Sequence, residues 1–133
     1  MPTLANYEIV DQTGAYVSPT STYSRSFQIG GRNGGYPAYL EMWAKTGYSN
    51  SSTQPATVRL NGTQIGTIYP RPWLNHNYVD LDTIAFPFGG LLLRNWLPWM
   101  PVQNILEVVV PPGSTGAEYV ILGQVICHYK QDT

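Results

Sequence analysis

The stretch Glu118–Lys130, EYVILGQVICHYK, is the longest run in the chain that reads as one β-strand, and it limits the possible folds more than any other feature. Its odd-numbered residues, Tyr119, Ile121, Gly123, Val125, Cys127 and Tyr129, fall on one side of a period-two ribbon and are almost wholly apolar. That face must be covered. The even side mixes Glu118, Gln124, His128 and Lys130 with Val120, Leu122 and Ile126, a composition suited to a partly solvated face. A strand of this kind belongs inside a sandwich.

Further strands are spaced along the chain between Gly- and Pro-rich turns. Ala38–Lys45 alternates Ala38, Leu40, Met42 and Ala44 against Tyr39, Glu41, Trp43 and Lys45, which predicts a core face and a mixed aromatic and charged face. Thr57–Ile68 carries Asn61-Gly62 as a two-residue type I′ turn, with Leu60 opposite Thr63, Arg59 opposite Gln64 and Val58 opposite Ile65. Tyr23–Ile29 reads as a half-buried strand. Tyr78–Phe86 reads as extended, with Asp80 and Asp82 on one face and Val79, Leu81 and Ala85 on the other; Pro87-Phe88-Gly89-Gly90 then breaks it. Asn104–Val110 points Leu106, Val108 and Val110 inward. The glycines of Gly30-Gly31-Arg32-Asn33-Gly34-Gly35 make a turn and not a phosphate loop, because no helix pattern or Lys-Ser/Thr pair follows. Residues 1–22 are expected to form an N-terminal arm with one short strand, Tyr7–Val10, and residues 23–133 a single domain.

No segment has sustained helical periodicity and no internal repeat is evident, so no helix is available to cover a sheet. That leaves an all-β two-sheet sandwich or a closed barrel, and the expected fold is the sandwich, antiparallel with jelly-roll topology. At 133 residues the chain suits one core, burying roughly two thirds of the surface of its unfolded form. Only 11% of residues are charged and the net charge is -1, so the electrostatic driver for nucleic-acid binding is missing. Weak self-repulsion favours close association, and a homo-oligomer is expected. No run has the length or composition of a membrane span or secretory signal, which gives the expectation of a protein cytoplasmic as synthesised and extracellular or virion-associated after release. Asn50-Ser51-Ser52 and Asn61-Gly62-Thr63 match the glycosylation pattern, which is common by chance and needs a secretory route.

The order of elements resembles galactose-binding-like jelly-roll domains, common among carbohydrate-binding modules. The resemblance lies in Val58-Arg59-Leu60-Asn61-Gly62 with Ile65-Gly66, Asn104-Ile105-Leu106-Glu107-Val108, and the ending Val125-Ile126-Cys127-His128-Tyr129. The ending is also similar to that of uncharacterised bacterial jelly-roll proteins. The resemblance implies a sandwich and carries no binding residue with it.

Chemistry-bearing residues favour binding over catalysis. Cys127 and His128 are adjacent on a strand and point to opposite faces, so they cannot pair as nucleophile and base. Cys127 is expected to be buried and His128 to lie at the surface or between subunits. The acidic residues form no evident pair across a cleft of the kind glycoside hydrolysis uses. No cofactor is expected; Asp80 and Asp82, with His76, are the candidates for a calcium site, set against a reading as solvated acids on an outward face. The informative segments are two aromatic loops. Trp73 in one loop, and Trp96 with Trp99 in the other, can form a platform for a sugar ring, with Arg71, Asn75, His76 and Asn95 to bond its hydroxyls. Arg94, Trp96, Trp99 and Met100 equally suit a protein interface. Buried rings plugging the ends of the sandwich are the competing explanation for both loops. These features predict a non-enzymatic module that binds a glycan, with an assembly subunit of a homo-oligomer or virion-like particle as the alternative.

Overall fold

The computed structural model describes residues 3–17, 22–32, 34–47, 56–68, 82–94, 102–110 and 119–132. Nine strands are present among them: β1 (Thr3–Asp11), β2 (Ala15–Val17), β3 (Thr22–Phe27), β4 (Pro37–Gly47), β5 (Ala56–Leu60), β6 (Thr63–Ile68), β7 (Asp82–Gly89), β8 (Asn104–Val109) and β9 (Tyr119–Asp132). A 3-10 turn, Gly90–Leu92, follows β7. One sheet has the order β1-β9-β4-β7, with β2 also paired to β9, and the other has the order β3-β8-β5-β6. With β2 set aside as an addition, this is the strand order of a jelly roll, and every described pairing is antiparallel.

The core lies between the sheets. Leu40, Met42 and Ala44 of β4 meet Val58 and Leu60 of β5 and Leu106 and Val108 of β8, all fully buried. Burial of each larger side chain contributes about 2 kcal/mol before entropy is counted. The alternation expected for β4 holds from Ala38 to Ala44, and the inward set Leu106, Val108 and Val110 is buried.

The closing strand departs from a simple two-face ribbon. Val125, Cys127 and Tyr129 are buried as the odd-face reading requires, but so are the even residues Val120 and Leu122. The cause is a bulge. Met42 pairs with Val125 and Ala44 with Leu122, so Gly123 and Gln124 together oppose Trp43 and the inward face changes parity. Glycine inside a strand pattern marks this irregularity.

Three other expectations are corrected. Val58 pairs with Gly66, not Ile65, because Ile65 is an extra residue in β6. A Cβ at Gly66 would overlap the Phe86 ring, so glycine at that position lets β7 close against β6. The turn itself is as expected, with Asn61 (φ 51°) and Gly62 (φ 82°) both in the left-handed region. In β7 Ile84, Phe86 and Phe88 face inward, with Phe86 buried and Ala85 exposed, and the strand runs through Pro87 to Gly89. Proline is tolerated there because β7 is at the end of its sheet in the described order and Pro87 needs no outer partner. Finally, the leading segment supplies two strands where one short strand was expected, and both pair with β9.

Two buried polar residues tie the sandwich together. Asp11 accepts from Thr13 N and Oγ1 (2.9 and 2.7 Å) and from the Tyr23 hydroxyl (2.6 Å), and pairs with Arg25 Nε (3.2 Å). Asn104 accepts from Arg94 N (2.7 Å) and Asn61 Nδ2 (3.0 Å), and donates to Arg94 O (3.0 Å). Asn61 Nδ2 also donates to Leu92 O (2.8 Å), and this is the atom that a glycan at the Asn61 acceptor pattern would occupy.

Candidate functional site

Arg71, Trp73, Asn75, His76, Asp80, Asn95, Trp96, Trp99 and Met100 lie outside the described residues, and of Asp82 only the backbone is described, paired with Ala44. Arg94 is described. Its main chain is anchored at both polar atoms by Asn104, and its exposed side chain donates from Nη1 to Gln103 O (3.3 Å). No group of three or more His, Cys, Asp or Glu placed to hold a metal occurs among the described residues. Cys127 and His128 do lie on opposite faces. The thiol is fully buried, and burial, followed by the charge of Glu8, pushes it up to about 12.

Chemically distinctive groups gather instead on the outer face of the five-stranded sheet. Pairing places Tyr7 and Tyr39 on either side of His128, and Ile9 and Glu41 on either side of Ile126. The row is thus Tyr7, His128, Tyr39. Tyr39 stacks on His128 with ring centroids 4.5 Å apart and planes 15° apart, while Tyr7 is tilted against its other side at 6.3 Å. His128 Nε2 lies 3.0 Å from Glu41 Oε2; an ionised carboxylate only accepts, so the imidazole donates. This bond leaves the second Glu41 oxygen for other donors.

The rings remain open to solvent: Tyr7 is 59% exposed, Tyr39 40% and Trp43 42%. The outward row across the opposite sheet is Ser24, Glu107, Arg59 and Gln64, with Ile105 as the large apolar side chain exposed on that sheet. Among the described residues, the strand-borne aromatic surface is therefore concentrated on one side of the sandwich. At the Tyr39 end a depression of about 140 Å³ is lined by Ala5, Asn6, Pro37, Tyr39, His128, Tyr129 and Lys130. Its floor is braced by Tyr129, whose hydroxyl accepts from Asn6 Nδ2 and Gly30 N, each at 3.2 Å. A larger hollow of about 580 Å³ between β6 and β7 is lined by aliphatic groups, Pro87 and Phe88, with Thr63 and Gln64 as its polar side chains.

Both halves of the aromatic face were visible as strand faces, one in β4 and one in β9. Their adjacency was not, and Tyr7 stood in a segment expected to be an arm. Outward aromatics alternating with core residues were the available signal.

The fold and this face define an all-β jelly-roll domain with an aromatic outer surface. No protein-family model matches the chain, and curated proteins give no significant sequence match. Among solved structures, the chain is similar to part of a β-porphyranase of glycoside hydrolase family 86 from the human gut bacterium Bacteroides plebeius, with TM-score 0.63 and 19% identity over 98% of this chain and 21% of that one. It is also similar to part of dimeric latent PorU from Porphyromonas gingivalis, with TM-score 0.62 and 12% identity over 99% of this chain and 13% of that one. The chain thus spans a minor part of each. At these identities the likeness is one of fold. Among the described residues no helix is long and apolar enough to cross a membrane.

Proposed function

We propose that this chain is a non-enzymatic binding module whose ligand is a glycan held on the outer face of the five-stranded sheet. The observation that carries this reading is the row Tyr7, His128, Tyr39 with Glu41 beside it, which interleaves exposed ring faces with hydrogen-bonding groups. Ring faces stack on the C–H face of a sugar, and the polar groups bond its hydroxyls. Catalysis is not part of the proposal: Glu41 is the described carboxylate on this face, where glycoside hydrolysis ordinarily uses two. The fold likeness to part of a β-porphyranase adds support, because a small sandwich within a larger carbohydrate-active chain suits such a role.

Affinity electrophoresis against porphyran, agarose, xylan and cellulose tests the reading. Retardation by at least one polymer is expected, weakened by Tyr39→Ala and unchanged by Arg59→Ala on the opposite sheet. EDTA is expected to have no effect, since no cofactor is invoked. Mobility unaffected by every polymer would count against the proposal. If Trp73→Ala abolishes retardation and Tyr39→Ala does not, the site moves to the loop bearing Arg71, Trp73, Asn75 and His76.

A second reading, an assembly subunit, draws on exposed Leu4, Ile9 and Tyr16 of β1 and β2, which suit a contact between copies. Light scattering that shows a monomer at high concentration sinks it.

A further inference from the structure

We infer, resting on the glycan reading above, that the ligand is an interior stretch of a linear oligosaccharide lying along β4, and not a single terminal sugar. Tyr39, Glu41 and Trp43 stand at every second position of β4, with Leu40, Met42 and Ala44 buried between and beyond them, so all three face outward without interruption. Four residues of strand separate Tyr39 from Trp43 by about 13 Å. One pyranose ring cannot cover both. The two rings nonetheless share one face, and both are about two-fifths exposed.

The ground between and beside the rings fits a chain. Glu41, hydrogen-bonded to His128, lies midway and presents a carboxylate to hydroxyls. On the β7 side, Trp43 pairs with Thr83 and Glu41 with Ala85, small residues that leave room alongside the strand. At the Tyr39 end the track meets the depression bordered by Asn6 and Lys130, which has room for about one ring. A terminal-sugar site would gather its ring and polar groups around one pocket; here the second ring stands well outside it.

The probes are size series of cello-, xylo- and agaro-oligosaccharides, from monosaccharide to hexasaccharide, titrated calorimetrically. Affinity is expected to rise about tenfold or more from disaccharide to hexasaccharide in the series that binds. Trp43→Ala removes most of that gain and lowers hexasaccharide affinity by a larger factor than disaccharide affinity, and Trp43→Phe restores most of it. Trp43 is exposed, so the unfolding midpoint of each variant should match that of the parent. Equal affinity for monosaccharide and hexasaccharide overturns the extended track and leaves the glycan reading standing. A Trp43→Ala loss that is uniform across lengths also overturns it. Absence of binding at every length overturns both.

Discussion

The Tyr23 hydroxyl donates to Asp11 Oδ2 across 2.6 Å, joining β3 of one sheet to the end of β1 in the other. Arg25 reaches the same oxygen and lies over the Tyr23 ring, 4.7 Å from its centroid. Burial, then the hydrogen bond and charge of Asp11, raises the phenol well above its usual range, so Tyr23 remains a donor across the accessible pH range. Tyr23→Phe removes that donor from a buried carboxylate and is expected to cost about 1–3 kcal/mol, measured as a lower urea midpoint. An unchanged midpoint would show that Arg25 and Thr13 suffice.

Asp11 also sets an acid limit. Burial opposes its ionisation, yet the Tyr23 hydroxyl, the Thr13 amide and hydroxyl, and the Arg25 guanidinium together hold its carboxyl below the usual value. A folded pKa below the unfolded one contributes stability above the unfolded value of about 3.9, and this is lost as pH falls through the folded value. Thermal stability is therefore expected to be level with respect to this group near neutrality and to decline below about pH 4. Asp11→Asn should show a shallower acid decline from a lower starting point; identical pH profiles would exclude Asp11 as its source.

Asn104 is fully buried, and its side chain satisfies both main-chain polar atoms of Arg94 as well as Asn61 Nδ2. Asn104→Ala strands these groups, with an expected loss of about 3 kcal/mol in chemical denaturation. The same change should speed amide exchange at Arg94. Exchange there that stays slow would mean another group takes over.

Cys127 offers a probe of the core. With its thiol pushed up to about 12 by burial first and Glu8 second, it should resist an aromatic disulfide reagent at pH 8 in the native state. After denaturation, one thiol per chain should react. Prompt native labelling would contradict the packing of β9 against β1 and β4.

Much of the sandwich was legible because strand faces are written in period two. Leu40, Met42 and Ala44, and likewise Leu106, Val108 and Val110, alternate without a break, and each lies where its pattern requires. The Asn61-Gly62 turn was equally legible, since few other dipeptides accept two positive φ values. Bulges were not. The extra residue at Ile65, and the pair Gly123 and Gln124 opposite Trp43, show only in the register with the partner strands, β5 in the first case and β4 in the second.

Local pattern alone determined that this chain is all-β, that Cys127 is core and that Tyr39, Glu41 and Trp43 share an outward face, because each follows from alternation along one strand. Only the tertiary structure decided that Tyr7, His128 and Tyr39 form one row. Their strands are far apart in sequence, and strand order and register, which pair Tyr7 and Tyr39 with the same residue of β9, are settled by the packing of the two sheets as a whole.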